Sequence, residues 1–241
     1  MPNHVTTRCV VTGPQPEIDR FRELVFGFDQ DDQFVDFNQV IPMPLSLRGS
    51  EASGTAHTAS ELLLIRSEAF SFGSRALSPI KTERIRADVG IPEPGPMSVV
   101  AAAYLEKHPE EEAAGKRRLL NIVETGYPDW FEWSCANWGT KWNSYWFGID
   151  EIDDGLLRFH FDTAWSFPTP IFEKLAAMFP TLRFECACYD ELGNFAGSGA
   201  FNGEPPFEIG EATDELYELV YGEKSERDDD AESEQALVAV S

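Results

Sequence analysis

Apolar runs long enough to cross a membrane are missing from this sequence of 241 residues, since none approaches the roughly 20 residues that a bilayer-spanning helix needs. The opening residues, MPNHVTTRCVV, lack the basic and then apolar segments that mark a secretory signal peptide. The sequence holds only four cysteines, which we interpret as reduced and mostly buried thiols. These absences predict a soluble protein of the host cytoplasm with no membrane partner.

Basic residues are scarce as well. The chain has 19 lysines and arginines against 42 aspartates and glutamates, which gives a net charge of −23 and a pI near 4.4. About half of the excess, −11, lies in residues 204–241, and the remaining −12 is spread over the body. Such a chain repels nucleic-acid phosphates and attracts basic surfaces. The alternative interpretation is that the acidity only confers solubility.

Recognisable catalytic motifs are also missing. The sequence has no phosphate-binding GxxxxGK[ST] loop, no HExxH, no CxxC pair and no GxSxG. Cys186 and Cys188 share one face of a predicted strand, as do His160 and Asp162 on another. They lack the ligand spacing of structural zinc sites. We therefore predict no metal and no cofactor, and we favour a protein that is not an enzyme.

Strand and helix patterns alternate at both ends of the chain. The predicted strands are 4–13, 33–44, 140–149, 156–165, 181–190 and 195–204, and the helices between them are 16–27 and 168–180. Residues 45–139 are predicted to be mainly helical. Without this insertion the order is that of a split β-α-β unit, so we predict an α+β, ferredoxin-like sandwich. The domain should span 1–206, and 207–241 should be an acidic C-terminal segment with one short helix followed by a disordered tail.

Five of the six tryptophans stand in the segment 126–148, GYPDWFEWSCANWGTKWNSYWFG. Tryptophan is large and buries much surface, so we interpret most of these rings as core. We predict that Trp133, Trp138 and Trp165 are largely buried. A recognition surface is the alternative. A platform for stacking nucleic-acid bases is disfavoured, because Lys141 is the only basic residue in this segment.

Four segments resemble one known family. They are MPNHVTTRCVVTG, VDFNQVIPMP, GYPDWFEWSCANWGTKWN and DTAWSFPTPIFEKLAAMFP. Together they are similar to the YubB-type ferredoxin-like proteins of phages and conjugative plasmids, over roughly residues 1–205. The resemblance implies the fold and an origin in a mobile element. It implies no established activity, so it supplies no catalytic residues.

Two sets of residues are candidates for a site. The first would offer carboxylates to a basic surface in the manner of DNA phosphates, and it comprises Asp150, Glu151, Asp153, Asp154, Glu110, Glu111 and Glu112. The second is a polar and aromatic pocket formed by Asn3, His4, Lys141, Asn143 and Trp165. The simpler interpretation of Asn3 and His4 is that they fix the N-terminus by hydrogen bonds.

We therefore expect an acidic interaction protein of a phage or other mobile element. Its partner would be a basic surface of a host protein or nucleoprotein complex, and it would inhibit a defence complex by occupying a DNA- or RNA-binding surface. Two alternatives stay open: a small-ligand-binding or enzymatic domain using the second set of residues, and a structural or regulatory domain.

Overall fold

The computed structural model describes residues 3–29, 32–67 and 77–222, and they form two compact units. The first unit joins the chain up to Pro42 with the chain from Ser134, and the second runs from Met43 to Trp133. The second unit overlaps the predicted insertion of 45–139. No helix of the described ranges is both long and apolar enough to span a bilayer.

The first unit is built on a mixed set of strands and helices. Its strands are β1 (His4–Thr12), β2 (Phe26–Asp29), β3 (Asp32–Val35), β4 (Tyr145–Asp153), β5 (Leu156–Ala164), β6 (Arg183–Asp190), β7 (Ala196–Phe201) and β8 (Glu208–Gly210). Its helices are α1 (Gln15–Val25), α2 (Phe37–Val40), α8 (Thr169–Met178) and α9 (Asp214–Tyr221). Helix α7 (Trp130–Asn137) crosses the boundary between the units.

The main sheet has the order β4-β5-β1-β6-β7-β8, and every strand pairs antiparallel with its neighbours. Its first four strands, taken with α1 and α8, reproduce the order of a ferredoxin-like β-α-β-β-α-β unit. The predicted fold class is therefore confirmed. Strands β7 and β8 extend the sheet past β6, so the first unit continues beyond residue 206. The predicted disordered tail lies outside the described residues.

Alternation along β1 separates the two faces of the sheet. Val5, Cys9 and Val11 are buried, whereas Arg8 between them is exposed. Phe21 of α1 packs against the buried face, with ring centroids 5.5 Å from Phe184 and 6.1 Å from Phe159. Close packing of such rings contributes to the hydrophobic stabilisation of this unit.

The opposite face of the sheet is polar and only partly covered. Val220 of α9 is buried against this face, where it packs with Ala187, Tyr189 and Ala196. Tyr221, one residue further, places its hydroxyl 3.4 Å from Oγ1 of Thr6 on β1. Helix α9 therefore covers one part of this face.

One predicted strand is wrong. Residues 33–44 were expected to be extended, but only β3 is, and α2 follows it immediately. Asp36 explains the change, because its carboxylate accepts a hydrogen bond from the backbone N–H of Asn38 and caps the helix. Asn143 reinforces this turn by accepting from the backbone N–H of Phe37 at 2.9 Å.

The second unit is helical. It contains α3 (Gly54–Arg66), α4 (Pro79–Val89), α5 (Met97–Lys107) and α6 (Pro109–Thr125). Its core joins Leu62, Val100 and Leu105, all of which are fully buried. Gly115 of α6 is required by the close approach of α3, since an added Cβ would lie 2.7 Å from the carbonyl carbon of Ala59.

The tryptophans divide into buried and exposed rings. Trp133 and Trp138 are 5% and 4% exposed, as predicted, but Trp165 is 42% exposed, so its predicted burial is wrong. Trp138 donates from Nε1 to the carbonyl oxygen of Ile41 at 2.8 Å and packs edge-on against Phe37. A buried ring with a satisfied N–H is a structural residue.

We expect Trp138→Ala to lower the free energy of unfolding by about 3–5 kcal/mol, because it leaves a cavity and an unpaired carbonyl group. Trp146→Ala, at a ring that is 67% exposed, is the matched control and should change it by less than about 1 kcal/mol. Urea unfolding of both variants measures the difference. Equal stabilities would contradict the structural role of Trp138.

Candidate functional site

Exposed aromatic rings gather at the end of the sheet where β4 begins. Trp142, Trp146 and Trp165 are 37%, 67% and 42% exposed. The ring of Tyr145 lies between two of them, with centroids 6.4 Å from Trp142 and 5.4 Å from Trp146. Nζ of Lys141 lies 4.5 Å from the ring centroid of Trp142 and 4.8 Å from that of Trp165. We call these five residues the aromatic cluster.

Two rings of the aromatic cluster are held by unusual backbone. Trp146 has a φ of 49° and Trp165 has a φ of 77°, and both angles lie in the left-handed region that residues other than Gly rarely adopt. A register shift between Tyr145 and Gly148 interrupts the pairing of β4 with β5 around Trp146. Such a bulge changes the direction in which a side chain points. Strained residues of this kind concentrate at functional sites.

The backbone strain of Trp165 is offset by hydrogen bonding. The N–H of Trp165 donates to the carbonyl oxygen of Asn3 at 3.0 Å. The side chain of Asn3 in turn donates to Oδ1 of Asp190 at 3.1 Å. Asn3 therefore fixes the N-terminus against the cluster, as the simpler interpretation of this residue predicted.

His4 connects the aromatic cluster to the open face of the sheet. Its Nδ1 lies 2.8 Å from the hydroxyl of Tyr145, and its ring stacks on that of Trp146 with a centroid distance of 4.7 Å. Its backbone N–H donates to Oε1 of Glu191 at 2.8 Å. The imidazole thus supports the most exposed ring of the cluster.

A buried carboxylate lies beside the cluster. Asp162 of β5 is 6% exposed, and it stands opposite Tyr145 on β4 and Thr6 on β1. Burial raises the pKa of this carboxyl, and a hydrogen bond from Thr6 and the positive charges of nearby imidazoles oppose the rise. Burial, together with the negative charge of Asp162, raises the pKa of Tyr145 to about 12.

Four members of the predicted pocket lie in or against the aromatic cluster: Asn3, His4, Lys141 and Trp165. Asn143 is not available to a ligand of this pocket, because both its amide oxygen and its amide nitrogen are hydrogen-bonded within the fold. Its Oδ1 accepts from the backbone of Phe37, and its Nδ2 donates to Oδ1 of Asp36 at 2.9 Å. Asn143 therefore braces the turn before α2.

The predicted acidic residues are divided between the units. In the first unit, Asp150 pairs with His160 at 2.8 Å and Glu151 pairs with Arg158 at 2.5 Å. Asp153 makes no ion pair within the described ranges, and it accepts only from the N–H of the next residue, Asp154. The carboxylates of Asp150 and Glu151 could therefore bind a basic partner only by giving up their present pairs with His160 and Arg158.

The second acidic group begins α6 in the other unit. Glu111 accepts a hydrogen bond from the hydroxyl of Tyr104 at 3.1 Å. Glu112 lies between Arg66 at 2.8 Å and Lys116 at 3.1 Å, and these bonds hold its pKa below the ordinary value. Glu110, in the same first turn, is the member of this group without an ion pair in the described part of the chain. Acidic residues here stabilise the positive end of the helix.

A zinc site built from the two residue pairs considered above is excluded by the sheet. Cys186 lies on the buried face, with its Sγ 3.4 Å from that of Cys9, whereas His160 lies on the open face beside Asp150. Burial also raises the pKa of Cys188 to about 12, which keeps this thiol protonated. Among the described residues, no group of three or more potential ligands could hold a metal ion.

A comparison with protein-family models finds a match to the C-terminal part of the chain. Residues 141–235 match the family model described as the ferredoxin-like domain in Api92-like protein. The match begins at Lys141 and includes β4 and β5, and therefore most of the aromatic cluster. It supports the ferredoxin-like domain predicted from the sequence, and over these residues the chain is similar to Api92-like proteins. A YubB-type identity and a mobile-element origin stay predictions.

One solved structure is similar over most of the chain. It is the crystal structure of protein Api92 from Yersinia pseudotuberculosis, which is 11% identical, with 88% of this chain and 99% of that chain covered and a TM-score of 0.42. This likeness is too weak to support an argument about function. No curated protein matches the sequence.

The buried Asp162 gives the site a pH-dependent signature. Its pKa in the folded protein is raised above the ordinary value of 3.8, which applies to the unfolded chain. At a pH between these two pKa values, the folded protein therefore holds a proton that the unfolded chain has lost. The free energy of unfolding therefore falls as the pH rises from about 3.8 through the folded-state pKa, and above that pKa the loss is complete.

We expect Asp162→Asn to remove this dependence, so that the variant becomes more stable relative to the parent protein as the pH rises through this window. Urea unfolding of both proteins at a series of pH values measures the difference. Asp153→Asn, at an exposed residue, is the control and should follow the parent protein. A constant difference between Asp162→Asn and the parent would contradict the raised pKa.

Proposed function

We propose that this protein is a non-enzymatic interaction module that binds a basic surface of a partner protein through the aromatic cluster. The observation that supports this proposal is the grouping of three exposed tryptophans, which are 37–67% exposed. Tryptophan and tyrosine dominate the binding energy of protein interfaces. Grouped exposed rings on a soluble domain are typical of an interaction surface.

The chemistry of the aromatic cluster favours a cationic partner. Lys141 already places its ammonium group over the rings of Trp142 and Trp165, so these faces are oriented to accept a cation. Trp146 is stacked by His4 on one side and is 67% exposed. An arginine or lysine of a partner could therefore bind this ring in the same manner.

The overall charge supports the same class of partner. At −23 the protein attracts basic surfaces before contact, which raises the rate of association more than the final affinity. At physiological salt this attraction is screened over about 8 Å, so contact still depends on the rings and on nearby carboxylates.

The partner class that we propose is a nucleic-acid-binding protein of a host cell, such as a component of a defence complex, whose basic surface this protein would occupy in the cytoplasm. The charge supports this choice, because a surface that binds phosphates also attracts carboxylates. The proposed origin in a phage or conjugative plasmid depends on the four resembling segments of the sequence.

The double variant Trp142→Ala/Trp146→Ala tests the aromatic cluster. A partner recovered with the parent protein from host lysate, and then purified, should bind the variant at least about tenfold more weakly, since each ring is a candidate hot spot. Isothermal titration calorimetry measures the affinity. Phe28→Ala, at an aromatic ring that is 75% exposed in the same unit, is the matched control and should bind normally. Equal affinity for all three proteins would refute the proposed surface.

A second experiment tests separately the predicted acidic residues Asp153 and Asp154 of the first unit. We expect the intact protein not to bind duplex DNA, and to displace DNA from the purified partner less effectively as salt rises. Asp153→Asn/Asp154→Asn should slow association with the partner, because charges outside the contact surface act mainly on the association rate. Asp19→Asn/Glu23→Gln removes the same charge from α1 and serves as control. Tight DNA binding, or partner binding that ignores salt, would contradict a mimic of nucleic acid.

A further inference from the structure

A cavity of about 600 Å³ lies in the first unit, where residues of β1, β4, β5, β6, β7 and α9 line it. Its volume is within the range of about 300–1,000 Å³ that is usual for small-molecule sites. None of the five residues of the aromatic cluster is among its lining residues. A ligand bound here would therefore go beyond the proposed interaction function.

Arg8 occupies the middle of this lining. It belongs to β1, which is the central one of the five strands that contribute to the cavity. The residue is exposed, and it stands opposite His160 on β5 and Ala187 on β6. Its Nη2 comes to 4.0 Å from the position that a Cβ on Gly222 would occupy. The guanidinium group therefore lies between the sheet and the end of α9.

The charges of the lining leave Arg8 as the cation in excess. All three carboxylates that line the cavity are paired with a cation already, and the pairs are Asp150–His160 at 2.8 Å, Glu151–Arg158 at 2.5 Å and Glu185–Arg183. Arg8 makes no ion pair or hydrogen bond with the residues that the structure describes. Its guanidinium thus keeps a rigid fork of N–H donors for an anion, in a chain whose net charge is −23.

The lining beside Arg8 is formed by small and apolar side chains. Ala187 is opposite Arg8, and Ser198 on β7 is opposite Ala187. Because neighbouring strands are about 4.8 Å apart, this floor of small residues extends about 10 Å from β1. Leu219 of α9 also lines the cavity, and it is 54% exposed. An aliphatic body resting here would remove the Leu219 side chain from water, which is favourable.

We propose that this cavity binds a small organic carboxylate with an aliphatic body. Arg8 holds the carboxylate group by two parallel hydrogen bonds, and the body lies over Ala187 and Ser198 and contacts Leu219. A phosphate ester is a poorer ligand, because its second negative charge would be repelled by the three carboxylates of the lining. The ligand class follows from one guanidinium in excess beside an apolar floor.

Calorimetric titration of the full-length protein with four probes tests this site. Octanoate carries the carboxylate and the aliphatic body, acetate carries the carboxylate alone, 1-octanol carries the body alone, and octyl phosphate replaces the carboxylate with a phosphate. We expect octanoate to bind at least about tenfold more tightly than each of the other three. No binding of octanoate, or equal binding by acetate or 1-octanol, would overturn the proposal. Tighter binding of octyl phosphate would overturn the assignment to a carboxylate.

A variant of the guanidinium assigns the binding to the cavity. Arg8→Gln should weaken octanoate binding about tenfold or more, through loss of the charge-assisted hydrogen bonds. Lys174→Gln is the matched control, because it removes the same charge from an exposed residue of α8, whose Phe172 packs on the other face of the sheet. Equal octanoate affinities of the two variants would overturn the site.

The simpler role for Arg8 is structural, since its charge is favourable at the negative, C-terminal end of α9. That role alone predicts that Arg8→Gln lowers the melting temperature and leaves octanoate binding unchanged. Calorimetry of the folded variant therefore separates the two roles, and unchanged binding would overturn the proposal.

Leu219→Ala tests the place of the aliphatic body, and it also decides the matter if Arg8→Gln does not fold. It should weaken octanoate binding about threefold or more, because apolar contact area is lost. Leu192→Ala, at a leucine that is 61% exposed in the turn between β6 and β7, is the matched control and should bind octanoate normally. Unchanged octanoate affinity of Leu219→Ala would overturn the proposed position of the ligand.

Discussion

The pairing of β1 with both β5 and β6 is the interaction on which the rest of the first unit depends. Each residue of β1 from Val5 to Thr12 has a partner on both sides. Because side chains alternate along a strand, this single register determines which residues enter the core and which face the open side. A shift by one residue would exchange Val5 and Cys9 for Thr6 and Arg8, and it would expose the core.

The same register assembles the candidate site. It sets Thr6 opposite Asp162 and brings His4 to the edge at which β4 begins, where Tyr145 and Trp146 are placed by the bulge. The buried carboxylate, the imidazole and the ring of Tyr145 are therefore carried by paired strands. Their positions follow from strand pairing, so this part of the site is built on a rigid element of the fold.

Much of the fold could be predicted from the sequence, because β1, α1, α8 and the strands β5, β6 and β7 have strong periodic patterns. The large apolar ring of tryptophan led to a correct prediction of burial for Trp138 and a wrong one for Trp165. The exposure of Trp165 depends on a left-handed backbone that nothing in the surrounding residues DTAWSF indicates. The site was only partly predictable. His4 and Lys141 were recognised as chemically capable residues, but Asp162 was noticed only as a potential metal ligand, and the bulge at Trp146 is a property of strand pairing that no local pattern encodes.

The two units differ in how far apart in the sequence their contacting residues lie. The second unit is one continuous segment, from Met43 to Trp133. The sheet of the first unit instead pairs Val5 with Asp190 at its centre. During synthesis on a ribosome, all helices of the inserted unit emerge before the strand that completes the centre of the sheet. Strand β1 therefore stays unpaired on one side, with its apolar face exposed, until nearly the whole domain has been synthesised. The nascent chain consequently needs protection from aggregation for longer than its size alone would require.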